Sequence, residues 1–176
     1  LLIAVALFVE GVGWFDALNH ALTTLSTGGF SPHDASIDYF RQAGFANYRL
    51  IEYTVILGMS LGGISFVIHY RVLRGRISAL WESMEAKLFW KIILGATFLV
   101  LANHIRVHGF GEFLSAFRYS LFQVVALMTT TGFGTRDIGA SYFPALAKQV
   151  FLVLMVVGGM VGSTSGGLKV FRVGVL

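Results

Sequence analysis

Ser26-Thr27-Gly28-Gly29-Phe30-Ser31 and Thr129-Thr130-Thr131-Gly132-Phe133-Gly134-Thr135 decide how the chain reads. Each cluster directly follows an apolar stretch, Trp14 to Leu25 in one case and Phe113 to Met128 in the other. As helices these stretches reach about 18 Å and about 24 Å, short of the ~30 Å of a bilayer core. Such segments read as re-entrant or as buried core helices. Non-helical backbone at membrane depth survives only inside protein or beside a water-filled cavity. A cation crossing there must exchange water for protein oxygens, and rings of backbone carbonyls supply them in potassium filters. Glycine lets carbonyls converge because it keeps side chains away and permits unusual angles. Threonine adds a hydroxyl, and a short helix directs its negative C-terminal end at the ion. The candidate ion ligands are therefore Thr27, Gly28, Gly29, Thr130, Thr131 and Gly132.

The two clusters belong to an internal repeat. Thr27-Gly28-Gly29-Phe30-Ser31-Pro32-His33-Asp34 aligns with Thr130-Thr131-Gly132-Phe133-Gly134-Thr135-Arg136-Asp137, and Leu18 aligns with Leu121 at the same offset. After each cluster come a hydrophilic link and a longer apolar segment, where Met59, Gly62 and Gly63 match Met155, Gly158 and Gly159 at a slightly different offset. The expected fold is an all-α integral membrane protein of tandem helix–re-entrant pore loop–helix units, as in a potassium-channel-like pore. One unit covers 1–76, with its first helix truncated, a pore helix at 14–26, a filter at 27–31 and a helix at 49–70. The other covers 77–176, with a helix at 86–105, a pore helix at 113–129, a filter at 130–134 and a helix at 144–173.

Composition agrees. Of 176 residues 56% are hydrophobic and 12% charged, with a mean hydropathy of +0.75; a soluble domain carries roughly 25% charged residues. The chain has no Cys, which excludes a disulfide framework and a thiolate metal site. Its net charge of +4 is scattered at segment ends rather than gathered on one face, which argues against a nucleic-acid partner. Arg71, Arg74, Arg76 and Lys87 in one link, with Lys169 and Arg172 near the end, mark the cytoplasmic side of a multi-pass protein in contact with membrane lipid. Both Thr/Gly clusters then enter from the outer face, with Asp34, Asp38, Glu112 and Asp137, where acids would concentrate cations. Leu1 to Val9 is apolar, too short to span, and carries no signal-peptide features, so the chain reads as starting within a membrane helix of a longer protein.

The last apolar segment holds Gly158, Gly162 and Gly166 at every fourth position, and Gly159, Ser163 and Gly167 likewise. This is either a small-residue packing face or a break at 162–167, where glycine lowers helix propensity and Ser163, Thr164 and Ser165 offer competing hydrogen bonds. Gly162-Ser163-Thr164-Ser165-Gly166 lacks the central Ser of a nucleophile elbow and has no partner base, so enzymatic chemistry is not expected. A secondary carrier, coupled to sodium or protons, would favour inverted repeats about a midplane site, whereas these two units run in the same direction.

On these three motifs the chain resembles the membrane subunit of Trk-type bacterial potassium uptake systems, in the Trk/Ktr/HKT superfamily. The resemblance rests on residues 26–36, on 129–135 and on the run from Gly158-Gly159 to Lys169-Val170. It implies four such units around one pore, of which these are the second and third, in the bacterial cytoplasmic (inner) membrane. It implies potassium as the transported ion and no cofactor. Gly29 and Gly132 would be the filter glycines, and Gly162, Ser163, Thr164, Ser165, Gly166 and Gly167 a gate below the filter. The remaining two pore units, a homodimer partner and a cytoplasmic nucleotide-binding regulatory subunit follow from the same resemblance. Both turns depart from the Thr-Val-Gly-Tyr-Gly of tetrameric potassium channels.

Overall fold

The structure is a computed structural model in which residues 1–175 are described, and among these there are ten helices and no strand. They are α1 Leu2–Val9, α2 Trp14–Leu25, α3 Asp38–Gln42, α4 Tyr48–Gly63, α5 Phe66–Leu73, α6 Ala79–Glu82, α7 Met84–His108, α8 Phe113–Met128, α9 Ala145–Val157 and α10 Val170–Val175. Leu176, the last residue of the expected second unit, lies outside the described residues.

Helix α7 begins where the Ser83 hydroxyl accepts a 3.1 Å hydrogen bond from the Ala86 N–H, satisfying one of the free donors of a helix start. Its 25 residues make it long and apolar enough to cross a membrane. Only 33% of its apolar window is buried within the chain, where a soluble core helix would be mostly covered. Helix α8 is the centre of the packing. It lies against α4, α7 and α9, and it is buried almost continuously from Tyr119 to Met128. Helix α2 packs against α1 and α4.

Two long segments depart from their expected bounds. The segment anticipated as one helix over 49–70 is α4 and α5, bent by 105° at Ile64 and Ser65. The segment over 144–173, expected to break at 162–167, stops at Val157 and resumes at Val170, so the break is longer and runs from Gly158 to Lys169. Both interruptions lie at the matched glycine pairs: Gly62-Gly63 end α4, and Gly158-Gly159 open the break after α9.

A break leaves helix-end donors and acceptors without partners, and the two interruptions satisfy each other. Gly63 O accepts from Met160 N at 3.0 Å, Gly62 O from Thr164 N at 3.2 Å, and Phe66 N donates to Gly162 O at 2.9 Å. The Leu61 carbonyl accepts from Ile64 N at 3.2 Å and also lies 2.8 Å from His69 Nε2. The glycine pairs allow this closeness. A Cβ on Gly62 would sit 2.8 Å from the Leu25 carbonyl oxygen, and one on Gly159 3.0 Å from the Gly63 oxygen.

Candidate functional site

The two Thr/Gly turns end α2 and α8 with the same backbone. Thr27 and Thr130 have φ of 51° and 56°, and Gly29 and Gly132 have 68° and 82°. Gly28 and Thr131 between them are not left-handed. Left-handed conformations are unfavourable for a β-branched residue, so Thr27 and Thr130 are held there by their surroundings. The hydrogen bonds also repeat. Thr27, Gly28 and Gly29 donate their N–H groups to Thr24 O (3.2 Å), Thr23 O (2.9 Å) and Thr23 O (3.3 Å). Thr130, Thr131 and Gly132 donate to Leu127 O (3.0 Å), Ala126 O (2.9 Å) and Ala126 O (3.1 Å). With the N–H groups folded back onto the helix ends, the carbonyls are left for other partners.

The turns also meet. A Cβ built on Gly29 would land on the Thr131 carbonyl oxygen, so that carbonyl points at the other turn and only glycine fits opposite it. A Cβ on Gly132 would touch nothing within 4 Å. Gly132 instead lines an open cavity of about 560 Å³ with Asp34, Gln123, Gly134, Asp137 and Met155.

The glycine-rich run joins both turns. Thr27 Oγ1 donates to Thr164 Oγ1 at 3.2 Å, and Thr164 Oγ1 lies 3.0 Å from both Leu25 O and Gly62 O. Gly166 N donates to Thr130 Oγ1 at 2.7 Å. The run leaves α9 and returns to it. Leu168 N donates to Val156 O and Val170 N to Gly159 O, at 3.0 Å and 2.9 Å. Gly158, at φ +77°, and Gly167 pack backbone against backbone across that neck, with a Cβ on Gly167 only 2.7 Å from the Gly158 Cα. Within the run, Ser163 Oγ donates to Met160 O at 2.6 Å, and Lys169 donates to the Ser165 carbonyl. All twelve residues expected as ion ligands or gate thus fall in two touching turns and the loop bonded to them.

The expected acids divide. Asp34 and Asp137 line the cavity beside Gly132. Asp38 borders the same cavity but is not a free charge. It is buried and accepts from Arg41 Nε (2.7 Å), Arg41 Nη2 (2.8 Å) and Gln42 Nε2 (2.8 Å). Burial by itself raises its carboxyl pKa, but the bonds from Arg41 and Gln42 and the charges of Arg41 and Arg136 outweigh this and hold it below the usual carboxyl value. Glu112 lies in a separate hollow of about 680 Å³ with Arg41, Arg49 and Arg136.

Sequence reasoning missed two charged partners. Arg118 on α8 donates to the Glu52 carboxylate on α4, with side chains 4% and 1% exposed, and its guanidinium carbon lies 4.7 Å from the Tyr119 ring centre. Glu85, in the first turn of α7, accepts a 2.7 Å hydrogen bond from Val161 N. An isolated Arg inside an otherwise apolar stretch that also holds Gln123 was the available signal for the first pair.

A family model described as TrkH, cation transport protein, matches residues 3–176. The Trk system potassium uptake protein TrkH of Halomonas elongata is 34% identical over 171 residues, which is 97% of this chain and 34% of that protein. The Trk system potassium uptake protein TrkH of Escherichia coli strain K12 is 31% identical over 175 residues, again 97% of this chain and 34% of that protein. The crystal structure of the potassium transporter TrkH from Vibrio parahaemolyticus matches with a TM-score of 0.88 and 29% identity, over 98% of this chain and 36% of that one. The chain spans about a third of the length of the curated relatives it matches. By this family match, together with its paired Thr/Gly turns, the chain belongs to the TrkH family of cation transport proteins.

Proposed function

We propose that this chain supplies two neighbouring units of a potassium-conducting pore in the bacterial cytoplasmic membrane. In this reading α2 and α8 are pore helices, and the backbone carbonyls and hydroxyls of residues 27–29 and 130–132 replace the water around a potassium ion. The glycine-rich loop, from Gly158 to Lys169 and including residues 162–167, obstructs the path beneath them. The observation that carries the reading is the approach of Gly29 to the Thr131 carbonyl between two turns of identical backbone. Alternation of left-handed and other backbone turns successive carbonyls toward one side, as a cation path requires.

The ends of the two-unit array support further units. Phe133 is fully buried, 5.9 Å from the ring of His20 in the preceding unit, whereas its counterpart Phe30 is 77% exposed. Gly29 is covered by the following turn and Gly132 by nothing. Each unit thus has a place for a neighbour on both sides, and this pair occupies only the shared one. The remaining two pore units of one polypeptide would close the ring. A second copy of the protein and a cytoplasmic nucleotide-binding subunit are the partners expected of the family. Exposed apolar residues on α7 and α9, among them Phe98 at 73% and Leu152 at 65%, suit contact with lipid.

The test is Gly132→Ser in the full-length protein, with potassium and sodium uptake measured in a potassium-uptake-deficient cell and the membrane level checked. A changed potassium-to-sodium ratio at normal level is expected. Unchanged uptake of both ions would reduce the Thr/Gly turns to ordinary loops.

A further inference from the structure

The glycine-rich loop has one tether that does not come from the turns or from the bend in α4. Within it the Val161 N–H donates to the Glu85 carboxylate at 2.7 Å. Val161 is 49% exposed, so this N–H sits in an irregular segment where water could serve it instead. Glu85 belongs to the first turn of α7, immediately after the Ser83 cap that ends the basic link from Arg71. The start of α7 also touches the helix that follows the loop, because Met84, Glu85 and Leu88 border a small hollow with Phe171 and Gly174 of α10. There the contact is close. A Cβ on Gly174 would sit 2.6 Å from Leu88 Cδ2. The start of α7 therefore contacts the loop once, by a charged hydrogen bond, and the helix after the loop once, by packing.

We infer that Glu85 is a positioning residue that holds the glycine-rich loop in its obstructing place and couples it to the cytoplasmic link between the two units. The inference rests on reading residues 158–169 as the gate. The loop lies against both turns, through Thr164 to Thr27 and through Gly166 to Thr130, so the conformation Glu85 supports is the obstructing one. A charge-assisted bond to a backbone N–H stabilises that conformation without fixing it, because the acceptor sits on a separate helix. A displacement of the link moves Ser83, the first turn of α7 and Glu85 together. The loop then loses its cytoplasmic anchor while its bonds to the turns remain to be broken. The link carries Arg71, Arg74 and Arg76 and ends at Ser83, next to Met84, a charge that suits an acidic cytoplasmic surface.

The experiment compares Glu85→Ala and Glu85→Gln in the full-length protein, with Gly158→Ala as the control for the gate itself. Potassium and sodium uptake without regulatory stimulation are measured at matched membrane level, and hydrogen exchange of residues 159–163 is measured on the purified protein. Glu85→Ala is expected to raise unstimulated uptake roughly three- to tenfold, the change that loss of about 0.7 to 1.4 kcal/mol produces, with an unaltered potassium-to-sodium ratio and faster exchange at Val161. Glu85→Gln keeps a side-chain carbonyl acceptor without the charge and is expected to fall between the parent and Glu85→Ala, whereas a role of bulk charge alone predicts that it matches Glu85→Ala. Equal uptake and equal exchange in all Glu85 variants would overturn the inference. If Gly158→Ala alters uptake while Glu85→Ala does not, the gate stands and the role of Glu85 falls. If neither alters it, the gate reading itself falls.

Discussion

The hydroxyl oxygen of Thr130, in the turn after α8, accepts a 2.7 Å hydrogen bond from the backbone N–H of Gly166, in the loop after α9. One residue thus contributes both to the turn proposed to hold the ion and to the anchoring of the loop proposed to obstruct it. Thr130→Ser keeps this acceptor and Thr130→Val removes it at nearly constant volume. A hydrogen bond of this kind contributes about 1 kcal/mol, so Thr130→Val should speed amide exchange at Gly166 roughly fivefold and raise unstimulated uptake. Thr130→Ser should do neither. Equal exchange in both variants would separate the turn from the loop.

Gly29 and Gly132 occupy equivalent backbone positions but not equivalent space. Both have positive φ, so an alanine at either is strained by about 1 kcal/mol. At Gly29 the new methyl would also overlap the Thr131 carbonyl oxygen, while at Gly132 it would enter open space within this chain. Gly29→Ala should therefore lower both the membrane level and potassium uptake more than Gly132→Ala. In the complete pore a neighbouring unit would stand beside Gly132, and Gly132→Ala should then alter ion selectivity before it alters stability. Uptake and membrane level measured side by side rank the two.

Glu52 and Arg118 join α4 of one unit to α8 of the next through a pair almost sealed from solvent. Removing one partner strands the other charge, which costs about 3–5 kcal/mol, whereas replacing both by apolar residues of similar size is often neutral. Glu52→Gln should lower the melting temperature of the purified protein sharply. The double variant Glu52→Met with Arg118→Leu should recover most of the loss. Recovery would mark the pair as an interlock between units rather than part of the ion path, and potassium uptake by the double variant measures that directly.

Much of this arrangement could be read in the residues, and the limits have physical causes. The ends of α2 and α8 were legible because an apolar stretch gives way abruptly to Thr and Gly, and the two turns were legible because they repeat. The bend after Gly63 was not, because Gly62-Gly63-Ile64-Ser65 carries no proline and reads equally as a small-residue packing face. What stabilises the bend is Met160, Gly162 and Thr164, far along the chain. The match of Gly62-Gly63 with Gly158-Gly159 did carry that information, since both pairs lie where a helix is interrupted. The true length of the second break was hidden similarly. Gly158 ends α9, but only its contact with Gly167 shows why the helix stops there. Arg118 stood out as an isolated charge in an apolar stretch, but its partner Glu52 could not be read, because the pairing is a property of packing, not of spacing.

Asp38 gives a pH dependence of definite sign. Its folded carboxyl lies below the usual value near 3.8, because the bonds and charges of Arg41, Gln42 and Arg136 outweigh its burial. A group depressed on folding adds stability above its unfolded pKa, and that stability is lost as pH falls through the folded value. The wild-type protein should therefore lose more stability than Asp38→Asn between about pH 4 and pH 3, while the variant is already weaker at neutral pH. Melting temperatures of both across that range provide the check. Parallel curves would mean that the Asp38–Arg41 bond contributes nothing to holding α3 over the second turn, where Asp38 N also donates to Gly134 O at 3.3 Å.

The neck of the glycine-rich loop yields a rank order. Gly158 and Gly167 both have positive φ and face each other's backbone, and a Cβ on Gly158 would overlap the Gly166 carbonyl oxygen. Gly166 is not left-handed, and a Cβ there would make ordinary contact with Thr130 Oγ1 at 3.4 Å. Gly162 is left-handed but nearly free, with only Ser65 Oγ at 3.3 Å. Alanine at 158 or 167 should force the neck apart and change unstimulated uptake most. Alanine at 162 should act through backbone strain alone, about 1 kcal/mol, and alanine at 166 least. If these glycines served only as a packing face between straight helices, the order would instead follow burial. Gly158 is buried while Gly162, Gly166 and Gly167 are all exposed, so Gly167→Ala is the discriminating variant. A strong effect there requires the closed neck, and a weak one means the loop can open without it.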